Sequence, residues 1–168
     1  MTNHTDTPRV RGVALIVSNP SRKIMLLQER ETKVRLGKHA GMFSPPMETC
    51  CKGESDVIAV LRLIEEELPR FPGHIEVEQN PRGVYQVVSS VWASLYVGYT
   101  ESSSLPIPVE GPVEVGGHLW IPPHEALMLW LRQGAFEMLS DYTSVQNRVV
   151  RQHCRPVSAT PPHAFEPS

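Results

Sequence analysis

The stretch "CCKGESDVIAVLRLIEEELP", residues 50–69, packs five carboxylates onto what reads as a single helix, with Leu63 directly after its only arginine, Arg62. Ser55 is a good N-cap, because its hydroxyl can accept from the orphan N–H groups of the first turn. Asp56 then sits at the positive end of the helix dipole, and Pro69 with the following "RFPGH" stops the helix. At about 100° per residue, Val57, Leu61, Ile64 and Leu68 fall within roughly 40° of one another and are predicted to face the core. A second face, about 130° away, gathers Asp56, Leu63, Glu66 and Glu67, with Ala59 alongside, so that Leu63 stands in the middle of an acidic face. Carboxylates near a helix C-terminus oppose the dipole, and Glu65–Glu67 repel one another. A compensating cation is therefore expected, either a divalent ion or nearby Arg and Lys. Carboxylate oxygens are suitable donors for Mg²⁺ or Mn²⁺.

Working outward, "RGVALIVSN" and "KIMLLQER" are apolar runs separated by "PSR" and read as paired strands. "ETKVRLGKHAG" is a basic loop, and "MFSPPMETCC" reads as short strands broken by a proline pair. Beyond the helix, "IEVEQ" alternates as a strand, and "GVYQVVSSVWASLYVGYT" is the strongest β signal, long enough for two strands or one bent ribbon. "HLWIP" predicts a short strand, "PHEALMLWLRQG" a helix opened by proline, and "DYTSVQNRVVRQHC" a last helix. The expected class is α+β, a mixed sheet flanked by helices in an α/β/α sandwich. Residues 9–154 are expected to form one domain, with a flexible N-terminus over 1–8 and a disordered tail over 155–168.

Composition narrows the classes. At 168 residues, 40% hydrophobic and 20% charged, the chain is long enough for one globular domain with a sizeable core. A net charge of −2 offers no strong signal for nucleic-acid or anionic-membrane binding. No apolar run approaches the roughly 20 residues that span a bilayer, and the first residues lack the apolar core of a signal peptide. Cys50, Cys51 and Cys154 make neither a disulfide framework nor a zinc spacing. They read as packing residues in a cytoplasmic protein.

The order "G-E-S", seven residues from Glu54 to Arg62, an aliphatic and a Glu pair resembles the Nudix box, with Glu54, Arg62, Ile64, Glu66 and Glu67 in register. "IMLLQER" is similar to the family's strand ending in Arg, here Arg30. "VEVGGHLWIPPHEAL" is similar to its downstream acidic, Trp, Pro and Glu segment, here Glu114, Trp120, Pro122 and Glu125. Four positions depart from the pattern. Met47 and Glu48 replace a glycine pair, Pro69 replaces the closing glycine, and Leu63 replaces the Glu that is a central metal ligand in the family. Leucine can neither bind a cation nor accept a proton.

The resemblance implies a Nudix-type hydrolase of the diphosphate linkage in a nucleoside diphosphate derivative, weakened or specialised by Leu63. It implies Mg²⁺ or Mn²⁺ held by Glu54, Glu66 and Glu67, and Glu67, Glu66, Arg62 and Glu114 as the catalytic set. Arg30, Lys33, Arg35 and Lys38 would meet phosphate. Glu101 and Glu110 are further candidate bases, Tyr85 or Trp92 could stack on a nucleobase, and His118 and His124 read as structural. On this register Leu63→Glu should raise metal affinity. The partner expected is a nucleotide-like small molecule, with room for a homodimer. The alternatives are a catalytically inactive Nudix-fold sensor or adaptor, and an unrelated α+β interaction module.

Overall fold

A computed structural model describes residues 9–107 and 115–153. Glu110, Glu114, Cys154, the N-terminal eight residues and the C-terminal tail lie outside that range. The elements in chain order are β1 (Val10–Ser18), β2 (Ile24–Glu29), a short 3₁₀ helix (Val34–Leu36), β3 (Phe43–Ser44), β4 (Met47–Thr49), α1 (Asp56–Glu67), β5 (Glu76–Val77), β6 (Gly83–Val88), β7 (Val91–Tyr99), β8 (Val115–Ile121), α2 (Pro123–Ala126) and α3 (Ala135–His153). The eight strands form one mixed sheet.

β1 lies at its centre. It runs parallel to β7 from Val10↔Val91 to Ser18↔Tyr99. Its other edge is divided between two partners, β4 along Gly12–Ala14 and β2 at Ser18↔Ile24. The two apolar runs expected to pair therefore do so only at the mouth of their hairpin. β2 pairs mainly with β8 and, at its far end, with β3.

Alternation along β1 sends Val13, Leu15 and Val17 to one face, under α1 with Ala59, Val60 and Leu63. Ala14 and Ile16 go to the other, under Ala126 of α2 and Met138 and Leu139 of α3. Both faces are covered, which is why β1 reads as one unbroken apolar run rather than an alternating one. This is the expected α+β sandwich. Among the described residues no helix is long and apolar enough to cross a membrane.

The helix predicted to open at Pro123 stops at Ala126. The chain instead runs alongside β3, where the Phe43 N–H donates to the Trp130 carbonyl at 2.8 Å and the Arg132 N–H to the Phe43 carbonyl at 2.9 Å. Those sheet-edge bonds compete with helical ones and win because Phe43 would otherwise leave its backbone unpaired. α3 consequently starts earlier than the sequence suggests. At the junction Gly134 has φ +83°, and a Cβ there would lie 2.7 Å from the Gln86 carbonyl oxygen, so only glycine lets α3 approach β6 so closely.

Candidate functional site

The rotation of α1 about its own axis differs from the expected one. Leu63 is fully buried, whereas Val57 and Leu61 are 62% and 58% exposed. Of the predicted core stripe, Leu68 is buried and Ile64 partly so. Of the predicted second face, Asp56, Ala59, Leu63 and Glu67 share one side, but that side faces the sheet, and Glu66 is exposed. Asp56 supplies the reason. Its carboxylate accepts from the Tyr96 hydroxyl at 3.1 Å and from the Arg11 guanidinium, both on the sheet. With the first residue pinned to the sheet, positions three, four and seven further on (Ala59, Val60 and Leu63) follow it inward. Ser55 caps the helix as expected, its hydroxyl accepting from the Ile58 N–H at 3.4 Å.

Arg62 lies at the centre of a carboxylate cage. Its Nε and one terminal nitrogen each donate to an oxygen of Glu54 at 3.1 Å, a two-pronged pairing. The same terminal nitrogen donates to the Thr49 carbonyl at 2.7 Å. The other terminal nitrogen stands 3.3 Å from Glu48 and 3.6 Å from Glu66. Glu54 also accepts from the Cys51 N–H at 2.7 Å. The hydrogen bond from Arg62, then that from the Cys51 amide, hold the Glu54 carboxyl below its ordinary range.

Glu48 and Thr49 are shared with a cleft of about 120 Å³. Val87, Val88, Val91 and Ala93 give it an apolar wall, and Lys38, Glu67 and Arg132 bring charge into it. Behind the cations lies Glu29, whose side chain is only 3% exposed, 3.5 Å from Lys38 and 3.6 Å from Arg132. Arg132 also donates to the Leu36 carbonyl at 2.9 Å, while its buried Nε–H has no hydrogen-bond partner. Burial pulls the Arg132 pKa down, and the charges of Glu29 and Glu67 act against that. The end of α1 is satisfied separately, since the His118 Nε2–H donates to the Glu67 carbonyl at 2.7 Å. Its burial lowers the His118 pKa, the bond to that carbonyl opposing the shift.

Of the residues singled out in the sequence, Glu67 and Lys38 meet in the cleft, and Arg62, Glu54 and Glu66 adjoin it through Glu48 and Thr49. Arg30 and Arg35 are exposed and do not line the cleft, and Lys33 stands 4.0 Å from Glu31. Glu101 lies beside Gly73 and Thr100 in a separate depression. Tyr85 donates to Asp141 of α3 at 2.8 Å, and Trp92 carries the Arg9 guanidinium 5.3 Å from its ring centre, so neither is presented to the cleft. Cys50 packs against the core as expected, but Cys51 is exposed. His124 is a surface residue near Glu125. Sequence reasoning missed Arg132 and Glu29. Arg132 carried no signal, because it fell inside a predicted helix. Glu29 carried one, an acid ending an otherwise apolar strand.

The carboxylates do not fit the divalent cluster that the resemblance implies. Among the described residues no three acidic, histidine or cysteine side chains converge to hold a metal ion. Leu63 points into the core, and both oxygens of Glu54 are engaged by Arg62.

No family model and no curated protein matches this sequence. Solved structures do match in three dimensions. A mutT/nudix family protein from Listeria innocua has 18% identity and a TM-score of 0.62, over 86% of this chain and 99% of that one. A NUDIX hydrolase from Nitrosomonas europaea has 16% identity and a TM-score of 0.59, over 82% and 90%. The NUDIX domain of Shewanella oneidensis NrtR, solved in complex with ADP ribose, has 15% identity and a TM-score of 0.58, over 89% and 94%. Eight strands in one mixed sheet, helices on both faces and these likenesses agree: the chain has the Nudix fold, one that Nudix hydrolases use.

Proposed function

We propose that this chain binds a nucleoside diphosphate derivative in the cleft between α1 and the β6–β7 hairpin. The observation that carries this reading is the convergence of Lys38, Glu67 and the largely buried Arg132 on a cleft walled by valines. Apolar surface with a few fixed polar groups is the usual lining of a small-molecule site, and at about 120 Å³, below the usual range of about 300–1,000 Å³, the cleft holds part of such a ligand and leaves the rest outside. Lys38 and Arg132 would meet the anionic part of the ligand, and the valine wall its flat part.

Diphosphate hydrolysis is the second reading, favoured by Glu67 facing that cleft with Glu66 and Arg62 on the adjoining wall, and with Glu114 as candidate base. With leucine in place of the central carboxylate, turnover is expected to be about 10²–10³ below that of a full carboxylate set, or lower. ADP-ribose, the ligand of the Shewanella domain, is the first compound to try, followed by dinucleoside polyphosphates, NADH, nucleoside triphosphates and CoA.

Calorimetry should detect ADP-ribose or another member of this panel, and Arg132→Gln should weaken it by about tenfold, the worth of one charged hydrogen bond. If no member binds, the cleft reading is wrong. Release of the two phosphomonoester products (AMP and ribose 5-phosphate from ADP-ribose) that requires Mg²⁺ or Mn²⁺ and disappears in Glu67→Gln would establish the hydrolase. Binding without any release would leave the sensor.

A further inference from the structure

The carboxylates of α1 and β4 raise a question of charge. Glu48, Glu54 and Glu66 surround one guanidinium, and Glu67 shares its cleft with another. In a site built for a divalent ion, such oxygens would be held apart and turned toward a common point. Here the Glu54 side chain is 9% exposed and both of its oxygens are drawn onto Arg62, whose remaining nitrogen lies between Glu48 and Glu66. A divalent ion placed on these oxygens would share them with a fixed positive charge, and like charges at that distance repel. The position that could have completed a metal set lies in the core as Leu63. On the other side of Glu48 and Thr49, Arg132 lines the cleft and is held by Glu29 and the Leu36 carbonyl.

We infer that Arg62 and Arg132 stand in place of a divalent cation: they compensate the acidic end of α1 from within the chain, so that the protein takes up no divalent ion and its cleft binds an anionic ligand without one. The ligand half of this inference rests on the cleft reading above, and the metal half does not. Arg62 is a positioning residue that keeps Glu48, Glu54 and Glu66 occupied, whereas Arg132 meets the ligand. A guanidinium cannot lose its proton at any ordinary pH, so the compensation is permanent, unlike an ion that exchanges with solvent.

The test has two arms on the full chain. Free Mn²⁺ followed by its EPR signal should remain undiminished on addition of the wild-type protein, and should fall on addition of Arg62→Gln, which releases three carboxylates. Arg62→Lys, which keeps the cation but not the fork, should behave as the wild type does. If the wild type itself sequesters Mn²⁺, or if a folded Arg62→Gln gains nothing over it, the inference is overturned. Should Arg62→Gln fail to fold, the wild-type and Arg62→Lys titrations decide. In the second arm ADP-ribose is titrated calorimetrically in EDTA and in Mg²⁺. The two dissociation constants should differ by less than about fivefold, the lower end of a real coupling between sites, and a larger weakening in EDTA overturns the inference. Binding in neither buffer refutes ADP-ribose as the ligand, and the Mn²⁺ titration then stands as the deciding result.

Discussion

Leu63 and Leu61 lie two positions apart on α1 and have opposite surroundings. Leu63 is fully buried beside Leu15, Val17 and Tyr96, whereas Leu61 is mostly exposed. Leu63→Ala should therefore destabilise the fold by about 2–5 kcal/mol, the range for emptying a core leucine site. Leu61→Gln should stay within about 0.5 kcal/mol of the wild type. Chemical denaturation of the two variants checks both, and a larger loss for Leu61→Gln than for Leu63→Ala would mean that α1 is rotated as the periodicity alone suggests. Leu63→Glu, expected from the sequence to raise metal affinity, would instead put a carboxylate among apolar side chains, where an unpaired charge is not tolerated. It should fail to fold. Of the group Asp56, Ala59, Leu63, Glu66 and Glu67 that the sequence put on one face, the exposed Glu66 does not belong, and the rest turn toward the sheet rather than toward a metal.

At the scale of elements, the short strands around the proline pair, the helix with its Ser55 cap and the β6–β7 hairpin were legible, because each is set by local signals. The region 123–134 was not. Its helical pattern yields to pairing with Phe43, a partner some ninety residues away that no local signal announces. This displacement delivers Arg132 to the cleft, so the missed element and the missed site residue are one event. Gly134 is the joint that permits it. Gly134→Ala must place a Cβ against the Gln86 carbonyl at a positive φ, and should cost more than about 1 kcal/mol. Thermal denaturation tests this. An unchanged midpoint would show that α3 and β6 are free to separate.

For the whole molecule, stability should fall as the solution is acidified, in two stages with the same sign. His118, whose Nε2–H donates to the Glu67 carbonyl, has a folded pKa depressed mainly by burial. Its contribution is complete above the unfolded value of about 6.5 and is lost as pH drops through the folded one. Glu54, held down first by Arg62, follows at lower pH. Its contribution is present above the unfolded value of about 4.3 and disappears as pH falls through its depressed folded value. Denaturation of the wild type and His118→Gln between pH 7 and pH 4 should show the first stage missing in the variant. Parallel curves would remove His118 from the account.

The sequence by itself determined the local elements, the spacing that marks a Nudix-like helix, and the apolar run of a strand covered on both faces. It also raised the expectation of a compensating cation at the acidic end of α1. Only the tertiary structure decided which cation. A helix wheel has no outside reference until something anchors it, and here Asp56 is anchored by Tyr96 and Arg11 of the sheet. Likewise Glu29, Lys38 and Arg132 come from three separate segments, and no spacing within any of them encodes that they meet. Long-range pairing is what turns an apparent metal-binding box into one whose charges are answered by arginine.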